Sequence, residues 1–188
     1  MEDNHTCNNT RKIYCINTPP AYVFVTSTTY NGNFGGEAGA DAACATRAAA
    51  GSASSNLGVT RWRAIVAGGT FGGTNYTARQ RLSIPHNTTF LLVDNSTNVA
   101  ITESGLFFDN AQSLVNLINK DENGATLNNA TSWVGMTTDG CNNGTNYWSS
   151  SSSGAYGATG YNNNSNSGWF SQSASQCNNN YHLYCVGQ

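Results

Sequence analysis

Residues 132–141 read SWVGMTTDGC, and residues 177–185 read CNNNYHLYC. The first phrase is a short buried-type strand, Trp133-Val134-Gly135-Met136, that runs into a polar turn and a cysteine. The second leads into Val186, and residues 181–186 read as a closing strand. Between them, residues 137–168 are mostly Asn, Ser, Gly and Thr with isolated aromatics at Tyr147, Trp148, Tyr156 and Tyr161. A long run poor in regular signals inside a domain is functional or disordered. The embedded aromatics and the flanking Cys141 and Cys177 favour an ordered loop region. A disulfide closing such a loop contributes roughly 3–4 kcal/mol.

The phrase CNNNYHLYC has a near copy at residues 7–15, CNNTRKIYC. The copy reads as one half of a tandem repeat, as the tail of a preceding unit, or as a hairpin of its own. Residues 1–19 are therefore set apart from a single domain over 20–188, a size that one core can organise.

Composition narrows the class. Charged residues are 10% of the chain and the net charge is -2. No Lys/Arg cluster supplies a footprint for nucleic acid. The runs RAIVA (63–67) and FLLV (90–93) are far too short to span a bilayer. No basic-plus-apolar leader follows Met1, so a signal has been removed or Met1 is an artificial start. Polarity comes instead from neutral side chains, with Asn at roughly one residue in seven, well above ordinary usage. That composition suits secreted β-rich proteins and fibre tips better than a cytosolic enzyme. The six cysteines are Cys7, Cys15, Cys44, Cys141, Cys177 and Cys185; spacing alone leaves every pairing open. With no C-x2-C pair and scattered histidines (His5, His86, His182), disulfides are expected rather than a metal site, which places the chain outside the cytoplasm.

Along the chain, Tyr22–Thr28 reads as a strand after Pro19-Pro20. EAGADAACATRAAA (37–50) is the best helix former, with Glu37 and Asp41 near its start, Arg47 near its end and Gly51 as a stop. Ala40, Cys44 and Ala48 share one helical face, so Cys44 points inward. RWRAIV (61–66) and Phe90–Val93 read as strands. AQSLVNLINK (111–120) reads as a helix or helical turn capped by Asp109 or Asn110, and Asp121-Glu122 after it as a solvated face. Trp169-Phe170 and 181–186 read as the final strands.

The order of strand, cysteine-bearing helix, strands, Trp-Val-Gly-Met, cysteine, long polar loop and terminal Cys-x7-Cys resembles the C-type-lectin-like domain. The resemblance covers most of residues 20–188. It implies an α+β fold with short helices packed on small antiparallel sheets, a long polar loop region and disulfide staples. It implies pairing of Cys44 with Cys185 and of Cys141 with Cys177, and first and last strands side by side. Long-form members carry an N-terminal hairpin, which would join Cys7 to Cys15; a retained tail of a preceding repeat gives the same bond. A closer resemblance is to the domain of unknown function in spirochaetal outer-surface lipoproteins. It is carried by YVFVTSTTYNGNFGGEAGADAAC (22–44), RWRAIVAG (61–68), the DENG turn, SWVG (132–135) and LYCVGQ (183–188). It implies a bacterial cell-surface binding protein, adhesin-like in character.

The chain departs from sugar-binding members of the lectin family. No proline follows Pro85, Trp169-Phe170-Ser171 replaces the carboxylate-bearing motif, and Asp139 is the only carboxylate between 137 and 170. A calcium ion wants six to eight oxygens, several of them charged. No lectin-type metal site and no cofactor are therefore expected. Nor is an enzyme: no G-x-S-x-G elbow is present, His86 sits in a polar turn, and adjacent acids do not straddle a substrate as glycosidases require.

The expected mechanism is recognition of a protein or glycan on a cell or matrix surface. The candidate contact residues are Asn142, Asn143, Tyr147, Trp148, Tyr156, Tyr161, Asn162, Asn163, Asn164, Trp169 and Phe170. Tyr among Ser, Gly and Asn is the composition of antibody paratopes. The competing reading is that Trp148 and Trp169 pack inward and pin the loop. On this basis, excising residues 150–167 should abolish binding and spare stability. The rival functions are a structural knob of a trimeric fibre and, further off, an enzyme on a related fold; monomer and homotrimer stay open.

Overall fold

The computed structural model describes residues 18–70, 72–101, 113–135 and 140–188. The Cys7–Cys15 bond, Met136, Asp139 and the cap at Asp109 or Asn110 lie outside these residues. The chain forms, in order, β1 (Ala21–Val25), α1 (Glu37–Ala50), β2 (Trp62–Ala64), β3 (Gly68–Gly69), β4 (Asn75–Tyr76), α2 (Ala78–Leu82), β5 (Thr89–Leu92), β6 (Asn98–Ile101), β7 (Thr131–Trp133), β8 (Tyr156–Tyr161), β9 (Ser173–Gln176) and β10 (His182–Gly187). The architecture is mixed α+β and mostly sheet.

β10 organises the sheet. Along one edge it runs antiparallel to β1, with Tyr22 opposite Gly187 and Val25 opposite Tyr184. Its other edge is divided. His182 and Leu183 pair in parallel with β7, while Cys185 to Gly187 pair antiparallel with β2. The ladder forks there, so the small antiparallel sheets expected from the sequence merge into one eight-stranded sheet, ordered β6-β5-β1-β10-β7-β8-β9 with β2 also on β10. Among the described residues, only the β3–β4 hairpin stands apart.

Strand alternation divides the core between the two faces. Ala21, Val23, Val25, Tyr184 and Val186 meet Phe90, Leu92, Leu82, Ile118, Trp169 and Phe170. Phe24, Trp62, Ala64, Leu183 and Cys185 meet α1, Trp133 and Trp148. The helix occupies the residues its sequence indicates and buries Ala40, Cys44 and Ala48. Cys44 is bonded to Cys185, tying α1 to β10. Gly51 ends the helix, its N–H bonded to the Arg47 carbonyl, in extended rather than left-handed backbone.

Three expectations are corrected. Residues 113–119 are not helical. Leu114 and Ile118 are buried, as their spacing suggests. However, the Leu114 N–H bonds to the Ser165 carbonyl, the Val115 N–H to Val99, and the Asn119 carbonyl receives Leu127. Distant segments of the same chain thus take the groups a helix would use. Asp121 and Glu122 are buried, not solvated. Trp169-Phe170 close a short 3-10 turn rather than form a strand.

Glu122 is the charge around which this corner folds. Its Oε2 accepts from the Ser27 N–H at 2.9 Å, and its Oε1 from the Ser27 hydroxyl at 2.5 Å and Arg47 Nε at 2.7 Å. A second Arg47 nitrogen reaches the same oxygen, completing an ion pair whose carboxylate is wholly buried. Burial pushes the Glu122 carboxyl up; the Ser27 and Arg47 hydrogen bonds outweigh it and leave it below the usual carboxylate range. Asp121 fixes the following turn by accepting the Asn123 and Ala125 N–H groups, each at 2.9 Å.

Candidate functional site

Three polar segments meet at one end of the sheet: 31–36, the β3–β4 hairpin over 68–76, and 140–149. Asn33 bridges to Ser149, and Thr70 bridges to Asn146. The exposed residues here include Asn33, Gly72 to Tyr76 and Asn143 to Asn146. None of the three segments carries a charged side chain. Tyr76 is 46% exposed and is the exposed large hydrophobic group among the described residues of this face.

The surface is stiff because its polar groups build it. Asn142 Oδ1 accepts the Gly144 N–H at 3.2 Å, and Asn143 Oδ1 accepts from Thr145 and Asn146 at 3.0 and 3.1 Å. These are turns closed by an Asn side chain, which tolerates the bend and supplies its own acceptor. Asn31 and Asn33 do the same in the neighbouring segment.

Trp148 anchors the face from below. It is wholly buried, and its backbone φ is +56°, a conformation costly for a bulky residue. Its indole N–H donates to the Ala67 carbonyl at 2.9 Å. Its own carbonyl accepts from both Phe34 and Gly36, each at 2.9 Å. One residue thereby ties 140–149 to 31–36 and to Ala67, which leads directly into the hairpin. The ring packs at 6.1 Å from Trp133, whose indole N–H bonds the Tyr30 carbonyl at 2.7 Å.

The Cys141–Cys177 disulfide lies beneath the same region. It requires two glycines. A Cβ on Gly32 would stand 2.1 Å from the Cys141 sulfur, and one on Gly157 would stand 2.7 Å from it.

The sequence-designated residues separate under this geometry. Asn142 and Asn143 belong to the composite face, and Tyr147 is buried beside them. Trp148, Trp169 and Phe170 are core, the inward-packing alternative. Asn162 is also buried: its Oδ1 accepts the Ala130 N–H at 2.8 Å and its Nδ2 donates to the Leu127 carbonyl at 2.7 Å. Tyr156 and Tyr161 are 54% and 36% exposed, at the two ends of β8. An odd separation along a strand sends them to opposite faces, about 17 Å apart along it, so they do not form one patch. Asn163 and Asn164 follow β8, away from the composite face. Sequence reasoning missed Asn33, Thr70, Asn75 and Tyr76. The stretch GGTFGGTNY (68–76) was the available signal, with the same Gly, Asn and Tyr composition as the loop region.

Among the described residues, no three His, Cys, Asp or Glu side chains group as metal ligands. No helix there is long and apolar enough to cross a membrane. No curated protein matches the chain. The family described as "Protein of unknown function (DUF1554)" matches residues 27–165, and the chain belongs to that family.

Proposed function

We propose that this DUF1554 domain is an extracytoplasmic recognition module of C-type-lectin-like fold. It binds a protein or glycan on a cell or matrix surface without calcium and without chemistry. The fold reading is supported by the antiparallel pairing of β1 with β10, the helix cysteine joined to that last strand, and the second disulfide at the base of 141–177. Two buried disulfides also suit an oxidising compartment.

The observation that carries the functional reading is Trp148. A buried tryptophan in left-handed backbone holds three uncharged, exposed segments in one arrangement. Backbone strain of this kind collects where surrounding structure must present a surface in one conformation. The surface it presents offers amide donors and acceptors together with the exposed Tyr76. That chemistry suits neutral hydrogen-bonding partners with some apolar area.

The test is a screen of the folded domain against matrix proteins and a glycan array, with and without EDTA. Saturable binding that survives EDTA and is lost in Tyr76→Ala supports the reading. Binding that requires Ca²⁺, or that is indifferent to Tyr76 and Asn143 substitutions, refutes it.

A further inference from the structure

A second site lies at the opposite end of the β7–β8 pair from the composite face. Leu117, Asn119, Leu127, Asn128, Asn129, Asn162 and Asn163 line a cleft of about 350 Å³. Its walls come from three segments and are held rigidly. The Leu127 N–H bonds the Asn119 carbonyl at 2.8 Å, and buried Asn162 clamps Leu127 and Ala130. Asn129, in left-handed backbone at φ +55°, receives the Asn163 Nδ2 on its Oδ1 at 2.7 Å.

That amide-to-amide bond decides what the cleft can recognise. It consumes the Asn129 oxygen and orients both side chains. It leaves the Asn129 Nδ2 as a donor and the Asn163 Oδ1 as an acceptor, on two exposed residues. A neutral donor and a neutral acceptor in one lining complement a secondary amide, whose carbonyl takes the first and whose N–H gives to the second. Leu117 and Leu127 supply an apolar lining suited to a methyl group beside that amide. No lining residue is ionisable, so nothing there favours a carboxylate, phosphate or ammonium.

We infer that this cleft binds the acetamido group of an N-acetylhexosamine, by the Asn129–Asn163 edge and the two leucines. Asn119 and Asn128, in the same lining, are the amide partners for ring hydroxyls. A sugar is favoured over a peptide because an extended peptide needs a run of main-chain partners. This cleft offers one donor–acceptor edge, and its volume suits a single ring. The site is independent of the composite face.

The experiment is an amide-resolved NMR titration of the disulfide-intact protein. N,N′-diacetylchitobiose is compared with cellobiose, which lacks the acetamido groups, and with N-acetylalanine N′-methylamide, each to about 10 mM. The expected result is saturable shifts confined to 117–119, 127–129 and 162–163, with cellobiose at least about tenfold weaker. Asn163→Ala should weaken binding about tenfold with the thermal midpoint unchanged, because the side chain is exposed. Asn163→Gln, which keeps the amide, should retain more affinity than Ala. Equal responses to cellobiose, a stronger response to the peptide amide, or shifts centred on 142–146 would each overturn the assignment, as would no response at all.

Discussion

The corner around Glu122 and the face above Trp148 solve the same problem with opposite chemistry. Both join distant segments through one buried residue. At the corner, a carboxylate and a guanidinium gather 25–27, the end of α1 and the 120–125 turn. At the face, an indole and its backbone carbonyl gather 31–36, the start of the 68–76 hairpin at Ala67, and 140–149. The charged solution is directional and sensitive to acid. The uncharged one is built from segments that carry amides and a tyrosine and no charged side chain of their own. A chain with so few ionisable groups has placed one of its ion pairs in the framework and kept these three segments neutral.

The largest expected effect comes from removing what looks like loop. Residues 150–167 contain β8, which lies between β7 and β9 and receives both. Excising them would open the sheet and strip Trp133 and Trp169 of cover. We expect no cooperative unfolding transition and loss of amide dispersion in the deleted protein. A deletion that melts cooperatively near the parent midpoint would show that β8 is peripheral after all. The expectation that this segment could be cut while stability survived is therefore reversed by the structure.

This reversal shows where the sequence was legible and where it was not. α1, β1 and β10 announce themselves because helix formers and β-branched runs coincide with their burial. The two disulfides follow from the family resemblance, since spacing left every pairing open. β8 is hidden because its sequence, YGATGY, lost the residues that signal a strand. Gly157 must clear the Cys141 sulfur, and a Cβ on Gly160 would stand 1.9 Å from the Trp169 carbonyl oxygen. Close packing thus erased the propensity signal that normally marks a strand. The composition of the contact surface was readable, but its membership was not. That depends on Thr70 meeting Asn146 across the fold, a contact no local pattern encodes.

Next in size is the corner itself. Glu122→Ala leaves Arg47 partly buried without its partner and should cost about 3–5 kcal/mol. For a chain of this length that lowers the thermal midpoint by about 10 °C. The pH dependence has a definite sign. The folded carboxyl sits below its unfolded value, so its stabilisation is present above the unfolded pKa and is lost as pH falls through the folded one. The parent's midpoint should hold from neutral pH down to about pH 4 and drop below it. Glu122→Gln should flatten that acid limb. Parallel acid limbs in the two proteins would remove Glu122 as the titrating group.

Smaller, and aimed at the other region, is Gly157→Ala. The new methyl must displace the Cys141 sulfur or the Trp133 ring, which a Cβ would approach to 3.1 Å. We expect a loss of about 1–3 kcal/mol, the usual cost of overpacking. Gly154→Ala is the control, because its nearest neighbour would be a serine hydroxyl at an ordinary 3.5 Å. Equal melting of the two variants would mean that the disulfide bed adjusts freely and does not stiffen the face.

The smallest effect on stability should accompany the largest effect on recognition. Tyr76 is exposed on a two-residue strand and Asn143 on a turn, so Tyr76→Ala should shift stability by less than about 0.5 kcal/mol. If the composite face is the contact surface, an exposed tyrosine at its centre should act as an anchor. Its loss should then weaken binding of the partner found by screening by about tenfold or more. Asn143→Ala removes the acceptor that closes the 143–146 turn, so it should weaken binding by loosening the loop, with a smaller effect than Tyr76→Ala. Tyr156→Ala gives the contrast: it is more exposed than Tyr76, yet it sits on β8 and on none of the three segments that make this face. The composite surface predicts a marked loss at Tyr76 and almost none at Tyr156. The reverse order would move the contact surface to the β8–β9 side of the sheet and leave Trp148 as an element of the core alone.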